Sequence, residues 1–112
     1  SESKRHRRLV TISPDGSTAW TPPRFDEALL EPVCMAGIVR VTPPTSDTKG
    51  LLAFSNPHNL SRRDRNEAPG KSRDRIGVSI KLSADDGTTW TSHRRLEDGH
   101  SGYTDLAALP GG

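Results

Sequence analysis

The chain has 112 residues, of which only 30% are hydrophobic and 4% aromatic while 27% are charged. That length suits one domain, but so little apolar material makes a thin core for it, so the composition fits either partial disorder or a part of something larger. Lys and Arg number 16 against 14 acids, a net charge of +2; no apolar run approaches the roughly 18 residues of a membrane span, and the single cysteine, Cys34, excludes an internal disulfide and a cysteine-based zinc site. The opening "SESKRHRR" has neither an initiator methionine nor a signal peptide, and "ALPGG" stops where another strand could follow. Both ends lead us to expect a piece of a larger domain.

The apolar pattern is mostly of period 2, which predicts strands. "RLVTIS" (8–13) reads as a strand and "PDGS" (14–17) as a turn. "TPPRFDEALLEP" (21–32) reads as a connecting loop with one short helical turn. "VCMAGIVRVT" (33–42) and "LLAFSNP" (51–57) read as strands, and the polar "HNLSRRDRNEAPGKSRD" (58–74) as a loop. "RIGVSIKLS" (75–83) is the clearest strand, with Ile76, Val78, Ile80 and Leu82 on one face and Gly77, Ser79, Lys81 and Ser83 on the other. "DDG" makes a hairpin turn, "TTWTSHRRL" leads out, and a last strand is predicted near "YTDLAAL" (103–109). The fold class is all-β and antiparallel, as in a sandwich, a barrel or part of a propeller.

An internal echo sharpens this. "SPDGSTAW" (13–20) and "SADDGTTW" (83–90) both place Ser first, Asp third and Trp eighth, each after an alternating strand. In the second copy aspartate accepts backbone N–H groups and Gly87 tolerates φ > 0. Ser83 and Thr89 are expected to tie the arms of the turn, with Trp90 packing under it. The first copy is degenerate, with Ser17 in the place of Gly87 and Ala19 in the place of Thr89.

The pattern S-x-D-x-G-x-T-W is the Asp box of sialidases and other β-propellers. With "HRRLVTISPDGSTAW", "CMAGIVRV", "LLAFSNP", "RIGVSIKLSADDGTTW" and "SGYTDLAAL" in this order, the chain resembles the C-terminal part of a bacterial-type exo-α-sialidase. The resemblance implies about two to three antiparallel blades of a six-bladed β-propeller over residues 1–112, without an internal domain boundary. It also implies secretion, and the remainder of the propeller as a structural partner. The family grips the substrate carboxylate with three arginines and uses a tyrosine–glutamate pair with an acid/base aspartate. The first arginine, the glutamate and the aspartate have no counterpart here, so the chain corresponds to roughly the last third to half of a catalytic domain, without its closing strand, and is expected to be inactive alone.

Carried over by position, Tyr103 in "GYTDL" is the expected nucleophile, and Arg8 and Arg75 are the expected carboxylate-binding arginines. Arg7 is the rival of Arg8, and Arg73 becomes the alternative to Arg75 if the strand is slipped by two. Guanidinium forks bind carboxylates bidentately and stay charged. A carboxylate nucleophile would be repelled by the substrate's own carboxylate, at a cost of about 4 kcal/mol at 4 Å and an effective dielectric near 20; a neutral phenol avoids this. The implied reaction is retaining hydrolysis of terminal sialic acid from glycoconjugates through a glycosyl–tyrosine intermediate. The alternative function is a non-catalytic Asp-box module that binds carbohydrate or protein; a scaffold, however, has no need of a tyrosine in "GYTDL".

Other features point to structure. Asp85, Gly87 and Trp90 belong to a turn, and Asp105 suits a turn or cap. His6, His58, His93 and His100 lack metal-ligand spacing and are expected at the surface; no metal and no cofactor is expected. Asp85 and Asp86 resemble a calcium loop only superficially, without the later glutamate. Cys34 is expected to be a small buried residue. The basic runs 4–8 and 61–75 are interrupted by acids or have too few aromatics to stack bases. They suit a basic cleft for an anionic sugar, with no nucleic acid or membrane as partner.

Overall fold

The computed structural model describes residues 5–111. Six strands run in chain order: β1 (Arg7–Val10), β2 (Arg24–Leu30), β3 (Gly37–Thr42), β4 (Leu51–Pro57), β5 (Val78–Ser83) and β6 (Ser92–Arg95). All pairings are antiparallel. β1 and β2 form one ribbon, and β3-β4-β5-β6 form a four-stranded meander. Among the described residues there is no helix, and none long and apolar enough to cross a membrane. The all-β, antiparallel expectation therefore holds.

Three expectations need correction. Residues 24–30, expected in a loop, are strand β2, because Phe25 and Asp26 pair with Leu9 and Arg8 across the ribbon. β3 starts at Gly37, not at 33: Val33 sits at φ 64°, outside the extended region, and its N–H turns inward to the Glu31 carboxylate. Residues 103–109 form no strand. Instead the chain crosses the meander: Thr104 donates its hydroxyl to the Ser55 carbonyl at 2.7 Å and accepts from the Ser55 hydroxyl at 2.9 Å. A Cβ on Gly37 would come within 2.9 Å of the Asp105 backbone, so only glycine permits this crossing.

The two Asp boxes occupy equivalent places: 13–20 joins β1 to β2, and 83–90 joins β5 to β6. Ser83 Oγ donates to Asp85 and accepts from the Gly87 N–H, while Asp85 accepts from the Thr89 N–H at 2.8 Å. Trp90 packs against Phe54, with ring centroids 5.8 Å apart. In the first box, Gly16 N–H meets Ser13 Oγ at 3.0 Å and Asp15 accepts from Thr18 N–H at 2.7 Å. Gly16 (φ 77°) therefore does the work of Gly87 (φ 83°), and Thr18 that of Thr89. The first turn is one residue shorter, and Ala19 (φ 53°) takes up the difference. Trp20 is left 53% exposed instead of packing as Trp90 does.

The core is unusually polar. β5 buries Ser79, Lys81 and Ser83 and leaves Val78, Ile80 and Leu82 half-buried. The inward side faces the β1–β2 ribbon, and polar groups there find carbonyl acceptors: Lys81 Nζ donates to Ala28, and Asn56 Nδ2 to Leu30 at 2.7 Å. A buried polar group matched in this way avoids the cost of an unmade bond. Burial pushes the Lys81 ammonium down to about 8, with Asp26 pulling the other way.

Two of the four histidines depart from the surface expectation, whereas His93 and His100 are exposed. His6 is buried; its Nε2 accepts from Gly70 N–H at 3.0 Å, so Nδ1 carries the proton and donates to the Glu31 carbonyl at 2.9 Å. His58 is half-buried against His93, with ring centroids 4.4 Å apart. Burial first, then Lys81, His93, Arg95 and Arg7, holds His58 down to about 4. Thr89, Ser83 and a backbone N–H hold Asp85 down to about 2.

Both shifts give signed predictions. For His58 the unfolded chain takes up the proton first. Its contribution is full above pH 6.5 and is lost as pH falls toward about 4. Asp85 contributes above pH 3.8 and loses that contribution as pH falls through about 2. Denaturant unfolding measured across this range should show both losses, and Asp85→Asn should remove the lower one. An NMR titration placing His58 near 6.5 would contradict the assignment.

Candidate active site

The site is built on the turn 31–34. Glu31 is fully buried. Its Oε1 accepts from the N–H groups of Val33 (2.8 Å) and Cys34 (3.1 Å), and its Oε2 pairs with Arg8 Nη1 at 2.7 Å. Pro32 presets φ within this turn, and Val33 takes the left-handed conformation at its end, a strained choice for a β-branched residue. The carbonyls of the consecutive residues Val33 and Cys34 each receive a guanidinium: Arg8 Nη2 donates to Cys34 O, and Arg75 Nη2 donates to Val33 O at 3.0 Å.

Arg75 lies over the Tyr103 ring, 5.2 Å from its centroid, a cation–π distance. Tyr103 is 66% exposed. Its place is set from both sides. Ser101 N–H binds Arg75 O at 2.8 Å and His100 bridges to Ile76, while Thr104 is anchored on Ser55. The structure thus brings Arg8, Arg75 and Tyr103 together through one turn.

The rival arginines stand elsewhere. Arg7 points to the other side of β1, where Nε meets Glu27 Oε2 at 3.2 Å. Arg73 is only 8% exposed and donates to the carbonyls of Glu67, Ala68 and Lys71. Arg8 itself is mostly enclosed: both terminal nitrogens bind protein, and its Nε is buried without a partner. Arg75 presents the accessible guanidinium. Cys34 is buried as expected; burial pushes its thiol up, while Arg75 and Arg8 pull it down. No group of three or more His, Cys, Asp or Glu that could hold a metal ion occurs among the described residues.

Over 108 residues, 94% of its length, the chain is 31% identical to a sialidase of Micromonospora viridifaciens. Over 107 residues, 91% of its length, it is 32% identical to a sialidase of Bacteroides fragilis (strain YCH46). The chain is a sialidase-related segment. It spans 15% and 18% of the length of these two curated relatives. No protein-family model matches it.

Residue reading of this sialidase-related chain passed over Glu31, the group that organises the site. A signal was present: a Glu-Pro pair between two apolar runs is a poor fit to either strand and a good fit to a turn with a side-chain acceptor. Removing Glu31 leaves the enclosed Arg8 charge unpaired, so Glu31→Ala should lower stability by about 3–5 kcal/mol. Glu27→Ala, which breaks the exposed pair with Arg7, should change it by less than about 1 kcal/mol. Denaturant melts of both variants check this; equal effects would contradict it.

Proposed function

We propose that this chain is the carboxylate-binding and nucleophile-bearing part of an exo-α-sialidase, built as antiparallel blades of a six-bladed β-propeller. The observation that carries the reading is the convergence of Arg8 and Arg75 on adjacent carbonyls, with Tyr103 beneath Arg75. The similarity to two sialidases supports it. The blade reading is supported by the equivalent placement of the boxes, each joining two paired strands.

In the reaction, Arg75 forks onto the carboxylate of a terminal sialic acid, and Arg8, its charge matched by Glu31, holds the turn whose Val33 carbonyl positions Arg75. The Tyr103 oxygen attacks the anomeric carbon as the bond to the leaving oxygen breaks. The phenol proton passes to a base and the leaving oxygen receives one from an acid; the resemblance assigns these to a glutamate and an aspartate with no counterpart in this sequence. Water then cleaves the sugar–tyrosine bond, which retains the anomeric configuration. The substrate is a sialylated glycan, the rest of the propeller is the structural partner, no metal or cofactor takes part, and the setting is extracellular.

The protein that carries this chain should cleave a fluorogenic sialoside, and Tyr103→Phe should reduce turnover to below about 1%. Arg75→Ala should raise KM at least about tenfold. Undiminished turnover in Tyr103→Phe would sink the nucleophile assignment. Residues 1–112 alone should show no turnover; measurable hydrolysis by them would show that the missing acid/base groups are not needed.

A further inference from the structure

Beside the site lies a cleft of about 930 Å³, lined by the basic loop and by 98–101. Arg75 belongs to both, whereas Tyr103 and Arg8 do not line the cleft. Its volume is at the upper end of the range of about 300–1,000 Å³ typical of pockets that enclose a drug-sized ligand, more than one terminal sugar fills.

Four arginines, Arg62, Arg63, Arg73 and Arg75, line it against two aspartates, Asp74 and Asp98. The carboxylates have partners: Asp74 accepts from the Arg63 N–H at 2.7 Å, and Asp98 pairs with Arg95 at 3.4 Å. Arg62 is paired with Asp64 at 2.6 Å. Arg63 is exposed, and its guanidinium has no hydrogen bond or ion pair. A ligand with carboxylate oxygens supplies the countercharge that the free Arg63 and the accessible Arg75 call for.

We infer that this cleft binds a second acidic sugar attached to the sialic acid held at Arg75, so that the substrate class is the oligosialylated or otherwise multiply acidic glycan. The inference rests on the proposed function, because the first acidic sugar is placed by Arg75 and Tyr103. Arg63 is the specificity residue: it reaches the ligand from the outer wall and leaves the reacting atoms alone. Its charge is partly screened by salt, so the preference falls as ionic strength rises.

The test compares kcat/KM for an α2,8-linked disialoside and a monosialoside with the same leaving group, using the full protein. The disialoside should be preferred by about tenfold at low salt. Arg63→Ala should bring the ratio toward one without changing monosialoside turnover, and Arg63→Lys should keep part of it. Equal kcat/KM for the two substrates, or equal losses in Arg63→Ala, would overturn the inference while leaving the proposed function standing. Failure to turn over either substrate would count against the proposed function; calorimetric binding of the disialoside then decides the inference, which survives if Arg63→Ala weakens binding and falls if it does not. A single-stranded oligonucleotide that outcompetes the disialoside would also overturn it.

Discussion

One buried carboxylate organises the candidate site of this chain. Glu31 binds two backbone N–H groups of its own turn and the Arg8 guanidinium. Taking a charge fully out of water is tolerable only with a partner and satisfied lone pairs, and Glu31 has both. Because the carboxylate fixes the turn, the carbonyls of Val33 and Cys34 become fixed acceptors, and through them Arg75 is tied to Arg8. Tyr103 follows from Arg75 on one side and from Ser55 on the other. Five segments distant in sequence are thus joined by polar contacts rather than by a large apolar core.

The same logic runs through the rest of the fold. Leu29, Cys34, Ala53 and Phe54 are the buried hydrophobic residues, while β5 turns its serines and its lysine inward. Sheet and ribbon are joined by side chains donating to carbonyls. The apolar row Val78, Ile80 and Leu82 stays half-covered on the opposite face. Such a sheet keeps apolar surface available on its outer side.

Period-2 alternation was enough to locate β4 and β5 and to set the all-β class, because those strands have no competing local signal. β2 was missed because "PPRFDE" begins with prolines and carries charge, both marks of a loop; its pairing with β1 overrides them, and Asp26 is buried against Arg24 and Lys81. Alternation separates the two faces of β5 but not which one is buried, and the buried one is polar. The first Asp box shows a related limit. Its residues align by position with the second, yet Gly16 takes the role of Gly87 one position early. Register against the boxes picked out Arg8 and Arg75, and the resemblance of "GYTDL" to a family segment picked out Tyr103; the structure brings the three together, whereas Glu31 and its turn lay outside any motif and emerge only from tertiary geometry.

We propose that the Glu31 turn sets Arg8, Arg75 and Tyr103 as one site for a sugar carboxylate. A crystal structure of the protein with an unsaturated sialic acid analogue tests it most directly. The carboxylate should lie within about 3 Å of the Arg75 guanidinium nitrogens, on the side facing Arg8, with the Tyr103 hydroxyl beside the anomeric carbon. A carboxylate bound at Arg7, or one that touches neither Arg75 nor Tyr103, would contradict it.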